Sequence, residues 1–233
     1  MTTELKDLYY IAGLLTNKSI LKIDQISRNG DGVMDKTRFS CLVRHHSKGP
    51  LLLVQKYFGG KLKETAKNFE LKIGAETQVD LFTQLNPLVP YKDKLLVALE
   101  MKELQKARRP DREEVYQKIV DKFRATQDNH IPHLPNEYLK FYLGGALDDC
   151  LNCFIYPKPG CSPSVVATLK FKYPFLFGLV GMEKSTINVN DVFNLTSLWG
   201  QYMTDSNARL QEFGQLLFSG EEICSNWALR REG

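Results

Sequence analysis

Two stretches of this chain read alike: Tyr10-Ile11-Ala12-Gly13-Leu14-Leu15-Thr16-Asn17-Lys18 and Tyr142-Leu143-Gly144-Gly145-Ala146-Leu147-Asp148-Asp149-Cys150. Each lies in an apolar segment with helical spacing; in the first, Leu8, Ile11, Ala12 and Leu15 fall on one face. Each also carries a pair of small residues, Ala12-Gly13 and Gly144-Gly145. Two helices can cross at backbone contact only where side chains are missing, so a small pair in an apolar helix is what a crossing point needs. A single pair is readily a local packing accident. Two pairs, each opening the same succession of elements, indicate an internal duplication.

Outward from the first stretch, a helix is expected over residues 5 to 17, and then the hydrophobic period changes to two. Leu21 and Ile23 alternate with Lys22 and Asp24. After the turn signal Asn29-Gly30-Asp31-Gly32, Phe39, Cys41 and Val43 alternate with Arg38, Ser40 and Arg44. This is a hairpin with one apolar and one mostly basic face. A short helix is expected at 49 to 58, strands at 61 to 63 and 69 to 73, helices over 77 to 107 with a break at Pro87 to Pro90, and another helix from 111 to 126. Residues 127 to 136 contain Pro132 and Pro135 without periodicity and read as a linker. The pattern then restarts: a helix at 137 to 149, strands at 151 to 156 and 164 to 173, a short helix at 174 to 182, a brief strand at 185 to 190, and helical stretches at 191 to 203 and 207 to 229. The organisation is α+β, with repeats at 1–126 and 137–233, the second shortened.

The 233 residues are 43% apolar and 25% charged, which excludes a disordered tail protein. No run of apolar residues is long enough for a bilayer span. The opening MTTELKDLYY carries Glu4 and Asp7 and reads as neither a signal nor a transit peptide. Five scattered cysteines, at 41, 150, 153, 161 and 224, do not form the framework of a disulfide-rich secreted domain. Residues 1 to 130 hold 23 Lys and Arg against 17 Asp and Glu, while the remainder hold 8 against 10. The first repeat is the basic one, a distribution suited to a polyanion and also ordinary on a solvated surface.

The two stretches quoted first resemble the LAGLIDADG motif, and the chain resembles the double-motif LAGLIDADG homing endonucleases and maturases over nearly its whole length. The resemblance implies two pseudo-symmetric αββαββα halves whose motif helices meet at Ala12, Gly13, Gly144 and Gly145, and whose sheets form a saddle for nucleic acid. Alternation supplies such a face from the residues themselves. If Leu21, Ile23, Phe39, Cys41, Val43, Leu62, Leu71 and Ile73 point to the core, then Lys22, Arg28, Arg38, Arg44, Lys61, Lys63 and Lys72 point away from it. In the second repeat the corresponding face would carry Asn152, Phe154, Tyr156, Thr168, Lys170, Lys172 and Asn188. Lys and Arg serve phosphates, whereas an exposed Tyr stacks on unpaired bases, a mode more useful with RNA than with closed duplex DNA. For each of these residues a solvated sheet face is the competing reading.

In the nucleases of this family the eighth motif residue is acidic, and the pair holds a divalent metal between the scissile phosphates. Hard cations such as Mg²⁺ need oxygen ligands. Counted from Ile11 and from Leu143, the eighth positions here are Lys18 and Cys150. An ammonium repels a metal and a thiol is a poor ligand for Mg²⁺. The expectation is therefore a protein without enzymatic activity, metal or cofactor. His130-x-x-His133 and Cys150-x-x-Cys153 have zinc-like spacing, but no second tight pair accompanies either. No phosphate-loop, dinucleotide or nucleophile-elbow motif occurs. The resulting expectation is an RNA-binding protein stabilising rRNA in an organellar ribosome, in a mitochondrion or alternatively a chloroplast, as the resemblance implies. Ribosomal proteins would meet the acidic second half. An intron maturase, and an active double-strand DNA endonuclease with an atypical site, are the alternatives.

Overall fold

A computed structural model describes residues 4–26, 36–73, 83–106, 112–148, 150–156, 164–183, 185–187 and 194–195. The elements run α1 (Leu5–Lys18), β1 (Ser19–Ile26), β2 (Lys36–His45), α2 (Lys48–Phe58), β3 (Lys61–Glu64), β4 (Phe69–Ile73), a 3-10 turn (Asn86–Leu88), α3 (Lys92–Lys106), α4 (Arg112–Ala125), α5 (Asn136–Leu147), β5 (Leu151–Tyr156), β6 (Ser164–Leu169), α6 (Phe175–Leu179) and β7 (Thr186–Ile187). This is an α+β fold. β1 to β4 form an antiparallel sheet in the order β1-β2-β4-β3, and β5 to β7 form a second antiparallel sheet in the order β5-β6-β7. Among the described residues no helix is long and apolar enough to cross a membrane.

The helices packing most extensively against one another are α1 and α5. Their sequences explain why. Every residue from Tyr10 to Thr16 and from Tyr142 to Leu147 is buried, so neither helix has a solvated side along this stretch. Burial on all sides is what an apolar run broken by glycine, rather than an amphipathic stripe, should give. The rest of the core is layered on the first sheet. Phe39, Cys41, Val43, Leu71 and Ile73 are buried against Leu51, Val54 and Phe58 of α2. Burial pushes the Cys41 thiol up to about 12, so it packs as an apolar group. Leu21, Ile23 and Leu62, expected in the core, are only partly buried. They sit on β1 and β3, the two edges of the sheet, where a neighbour is missing on one side.

Between α2 and β3, Gly59 and Gly60 take φ values of 63° and 113°. A Cβ on Gly60 would come 2.7 Å from the Lys72 carbonyl oxygen, so the turn needs glycine both for its backbone and for this approach. The break expected at Pro87 to Pro90 between the helices of 77 to 107 is present: a 3-10 turn occupies Asn86–Leu88 and α3 starts at Lys92. Pro87 and Pro90 lack the N–H groups that a continuous helix requires. The second opening helix ends at Leu147 instead of 149 because Asp148 turns to an extended ψ of 123°.

The segment between α4 and α5, expected as a linker, has no regular structure from 126 to 135 but is fastened to the body. Asp128 pairs with Lys94 at 2.7 Å and accepts from the Tyr173 hydroxyl at 3.0 Å. The His130 amide donates to the Pro90 carbonyl at 3.1 Å. The shortening of the second repeat, and the helices expected at 191 to 203 and 207 to 229, concern residues that lie almost entirely outside those described.

Candidate nucleic-acid interface

Strand register builds the candidate face row by row, because residues directly opposite in neighbouring strands share a face. One row across the first sheet is Ile20, Leu42, Lys72 and Lys61; a second begins with Lys22 opposite Ser40; a third joins Arg44, Glu70 and Lys63. Lys22, Arg44, Lys61, Lys63 and Lys72 are exposed, as alternation requires. Lys61 lies directly opposite Lys72. Two like charges in that relation repel, and nothing acidic pairs with either among the described residues. Arg44 is different, because its Nε donates to Glu70 Oε1 at 2.6 Å, so part of its charge is already answered.

Other expected contacts fare variously. Arg38 lies opposite Asp24 in the backbone register and Tyr156 opposite Ser164, but their side chains, like Arg28 as a whole, lie outside the described residues. Lys170 is exposed. Lys172 does not extend the strand as expected. β6 stops at Leu169, and beyond it the Lys172 amide donates to Asn17 Oδ1 at 2.7 Å while its ammonium donates to the Ser19 carbonyl at 3.1 Å. The chain leaves the sheet because Asn17, at the end of α1, captures it.

The motif helices cross where the small pairs sit. An added Cβ on Gly13 would overlap the Tyr142 carbonyl oxygen, and one on Gly145 would overlap that of Tyr10. Reciprocal contacts of this kind define a pseudo-twofold that adds 132 to each residue number. It organises everything around the crossing. The Tyr10 hydroxyl donates to Asp148 Oδ2 at 2.5 Å, and the pair related to it by the pseudo-twofold is Tyr142 with Thr16, 3.0 Å apart. Tyr9 stacks on Tyr138 with centroids 4.6 Å apart, and the pair related to it by the pseudo-twofold is Phe141 beneath the Lys6 ammonium at 5.7 Å. The same operation makes Lys18 the counterpart of Cys150. Cys150 is buried; its thiol donates to the Ala146 carbonyl at 2.8 Å and takes a contact from the Asn17 amide.

Asp148 is the polar centre of this interface, a role that no pattern in the sequence indicates. It is fully buried, as is His45, whose Nε2 lies 3.7 Å from Asp148 Oδ1. His45 Nδ1 lies 2.9 Å from the Ser47 amide nitrogen and 3.0 Å from the Ser47 carbonyl oxygen, while Nε2 faces the carboxylate without a hydrogen bond. Truncation in Asp148→Ala strips the acceptor from the Tyr10 hydroxyl and removes the carboxylate that faces the buried imidazole. It should cost about 3 kcal/mol, whereas Asp148→Thr, which copies Thr16 of the other diagonal, should recover part of the loss. Urea unfolding of the two variants checks this, and an Asp148→Ala protein as stable as the parent would refute it.

No protein-family model and no curated protein matches the chain. Solved structures do. I-GzeII, a LAGLIDADG homing endonuclease in complex with its DNA target, superposes with a TM-score of 0.65 at 11% identity, over 94% of this chain and 93% of that one. The chain has the LAGLIDADG homing endonuclease fold. I-LtrWI bound to target DNA gives a TM-score of 0.62 at 13% identity, over 93% and 92% of the two chains. I-SmaMI bound to an uncleaveable DNA gives 0.62 at 11% identity, over 91% and 90%. The LAGLIDADG likeness expected from the motif stretches thus extends over most of the chain. At such identities it is a likeness of fold.

Proposed function

We propose that this protein is a catalytically inactive LAGLIDADG derivative that binds RNA through the basic face of its first sheet and stabilises rRNA in an organellar, mitochondrial, ribosome. The observation that carries the nucleic-acid part is the Lys61–Lys72 pair, on the same exposed sheet face as Lys63 and, at the other edge, Lys22: cations held opposite one another on an open sheet face call for a polyanion. The inactive part is supported by Lys18 and Cys150, equivalent under the pseudo-twofold and unsuited to holding Mg²⁺. A face that binds without cutting is useful where a folded RNA must be clamped. Ribosomal proteins would meet the acidic second half.

The test is sedimentation of an organelle lysate. The protein should travel with the ribosome at low salt and dissociate as salt rises. Recovery only at the top of the gradient would defeat the ribosomal role. The same purified chain, offered a randomised duplex library with Mg²⁺ or Mn²⁺, should yield no specific cuts. The solved neighbours favour a second reading, in which the ligand is duplex DNA, since those proteins are bound to DNA; specific cleavage in this assay would establish it.

A further inference from the structure

The open face of the first sheet is not uniformly cationic. Register sets Ile20 of β1 directly opposite Leu42 of β2, Leu42 opposite Lys72 of β4, and Lys72 opposite Lys61 of β3. The row therefore runs apolar, apolar, cation, cation across all four strands. Ile20 and Leu42 are one residue out of phase with Leu21, Cys41 and Val43, which pack in the core, so both belong to the side away from it. Each is only partly buried there, and exposed cations border the pair: Lys22 two residues along β1, and Lys72 across from Leu42. Directly opposite side chains lie close enough to touch, so Ile20 and Leu42 form one apolar strip. We infer that this strip receives the unpaired bases of a loop or end in a folded RNA, while Lys22, Lys61 and Lys72 hold phosphates of the same strand. The inference rests on the RNA reading of this face and names the form in which the RNA is bound.

A duplex hides the faces of its bases in the stack and offers phosphates, sugars and polar base edges. Set against the carbons of Ile20 and Leu42, such groups lose water and gain no hydrogen bond. An RNA duplex lacks even the thymine methyl, the apolar group that DNA shows in its major groove, and its own major groove is too narrow for side chains to read. An unstacked base is different, because it brings a flat and largely apolar face of its own. Covering the strip with it removes apolar surface from water on both partners. The width of the row suits a single strand as well. Neighbouring β-strands lie about 4.8 Å apart, so the apolar and cationic halves of the row adjoin. A strand that splays its bases over β1 and β2 keeps its phosphates over β4 and β3, and the polarity of the row matches that of a nucleotide chain.

The test is fluorescence anisotropy on the full chain with three probes: a short single-stranded RNA, the same RNA paired with its complement, and a thymine-bearing DNA duplex of corresponding sequence. The parent should bind the single strand about tenfold more tightly than either duplex. Ile20→Thr and Leu42→Thr should each weaken single-strand binding about fivefold and leave its salt slope unchanged, since neither removes a charge. Lys61→Ala should instead flatten that slope by about 0.7. Leu52→Gln, exposed on α2, is the control and should alter nothing. Threonine suits a strand, so both variants should fold. Leu42→Tyr guards against a loss caused by unfolding, because a ring in the strip should tighten single-strand binding about threefold. Equal affinity for single strand and RNA duplex, or single-strand binding unchanged in the Ile20 and Leu42 variants, overturns the strip; a slope still flattened by Lys61→Ala would then leave the RNA reading of the face standing. Tightest binding to the DNA duplex, weakened by Leu42→Thr, would overturn the inference and the RNA reading together.

Discussion

Replacing Lys22, Lys61, Lys63 and Lys72 together by Ala should weaken binding of a structured RNA by about a hundredfold or more at moderate salt, and flatten the salt dependence by about three units of slope. These four side chains are exposed on one face of the first sheet, and register brings Lys61 and Lys72 directly opposite each other. Each phosphate they neutralise releases a counterion, so the losses should appear chiefly at low salt and converge at high salt. Stability should hold or rise slightly, because the substitution removes a repulsive cross-strand pair. That combination, a large binding loss without unfolding, separates a contact face from a merely solvated one. Lys170→Ala should matter much less. Glu70→Gln should act in the opposite direction: it frees Arg44 from its 2.6 Å partner and removes a negative charge from the face, strengthening binding by about threefold. Quadruple substitution that left affinity and slope intact would eliminate this sheet as the interface.

The parts of this face that were legible in the sequence are those governed by the period-two alternation. Lys22, Arg44, Lys61, Lys63 and Lys72 could be assigned to one side without any knowledge of pairing, because a strand sends successive side chains to opposite faces. The helix crossing was legible for a different reason: Gly13 and Gly145 stand at the same place in two similar strings. The convergence at the C-terminal end of α1 was not. Residues from the end of α1, the end of β2, the turn before β4 and the chain after β6 line one cavity there, and no local pattern announces a meeting of such distant segments. Lys172 illustrates the failure. By parity it belonged on a strand face, but one side-chain amide, Asn17, takes its backbone N–H and ends the strand early. The buried pair of His45 and Asp148 was equally hidden, since a His on the apolar side of a strand reads as an exception to the pattern. Tyr10 and Tyr142 recur at the same offset as the glycines, and a repeated buried Tyr requires a repeated partner for its hydroxyl.

Gly145→Ala should lower stability by about 3 kcal/mol, or about 6 to 12 °C in Tm for a chain of this length. Helix propensity alone predicts the opposite sign, since Ala is favoured over Gly by about 1 kcal/mol inside a helix. Packing decides the contest. A Cβ on Gly145 would overlap the Tyr10 carbonyl oxygen and stand 2.8 Å from the Leu14 nitrogen. These are backbone atoms of α1, so no rotamer change relieves the overlap and the whole helix must move. Moving it strains the flanking contacts of the pseudo-twofold, including the Tyr10–Asp148 hydrogen bond and the Tyr9–Tyr138 stack. Gly13→Ala should behave alike, since its Cβ would meet the Tyr142 carbonyl and lie 3.0 Å from the Ala146 nitrogen. Gly49→Ala provides the control: it lies in α2 with nothing within 4 Å of the added atom, so propensity should prevail and stability should hold or rise. Thermal unfolding of the three variants reads the difference directly. A Gly145→Ala protein as stable as Gly49→Ala would mean that α1 and α5 do not cross at backbone contact, and the alignment of Lys18 with Cys150 would lose its footing with them.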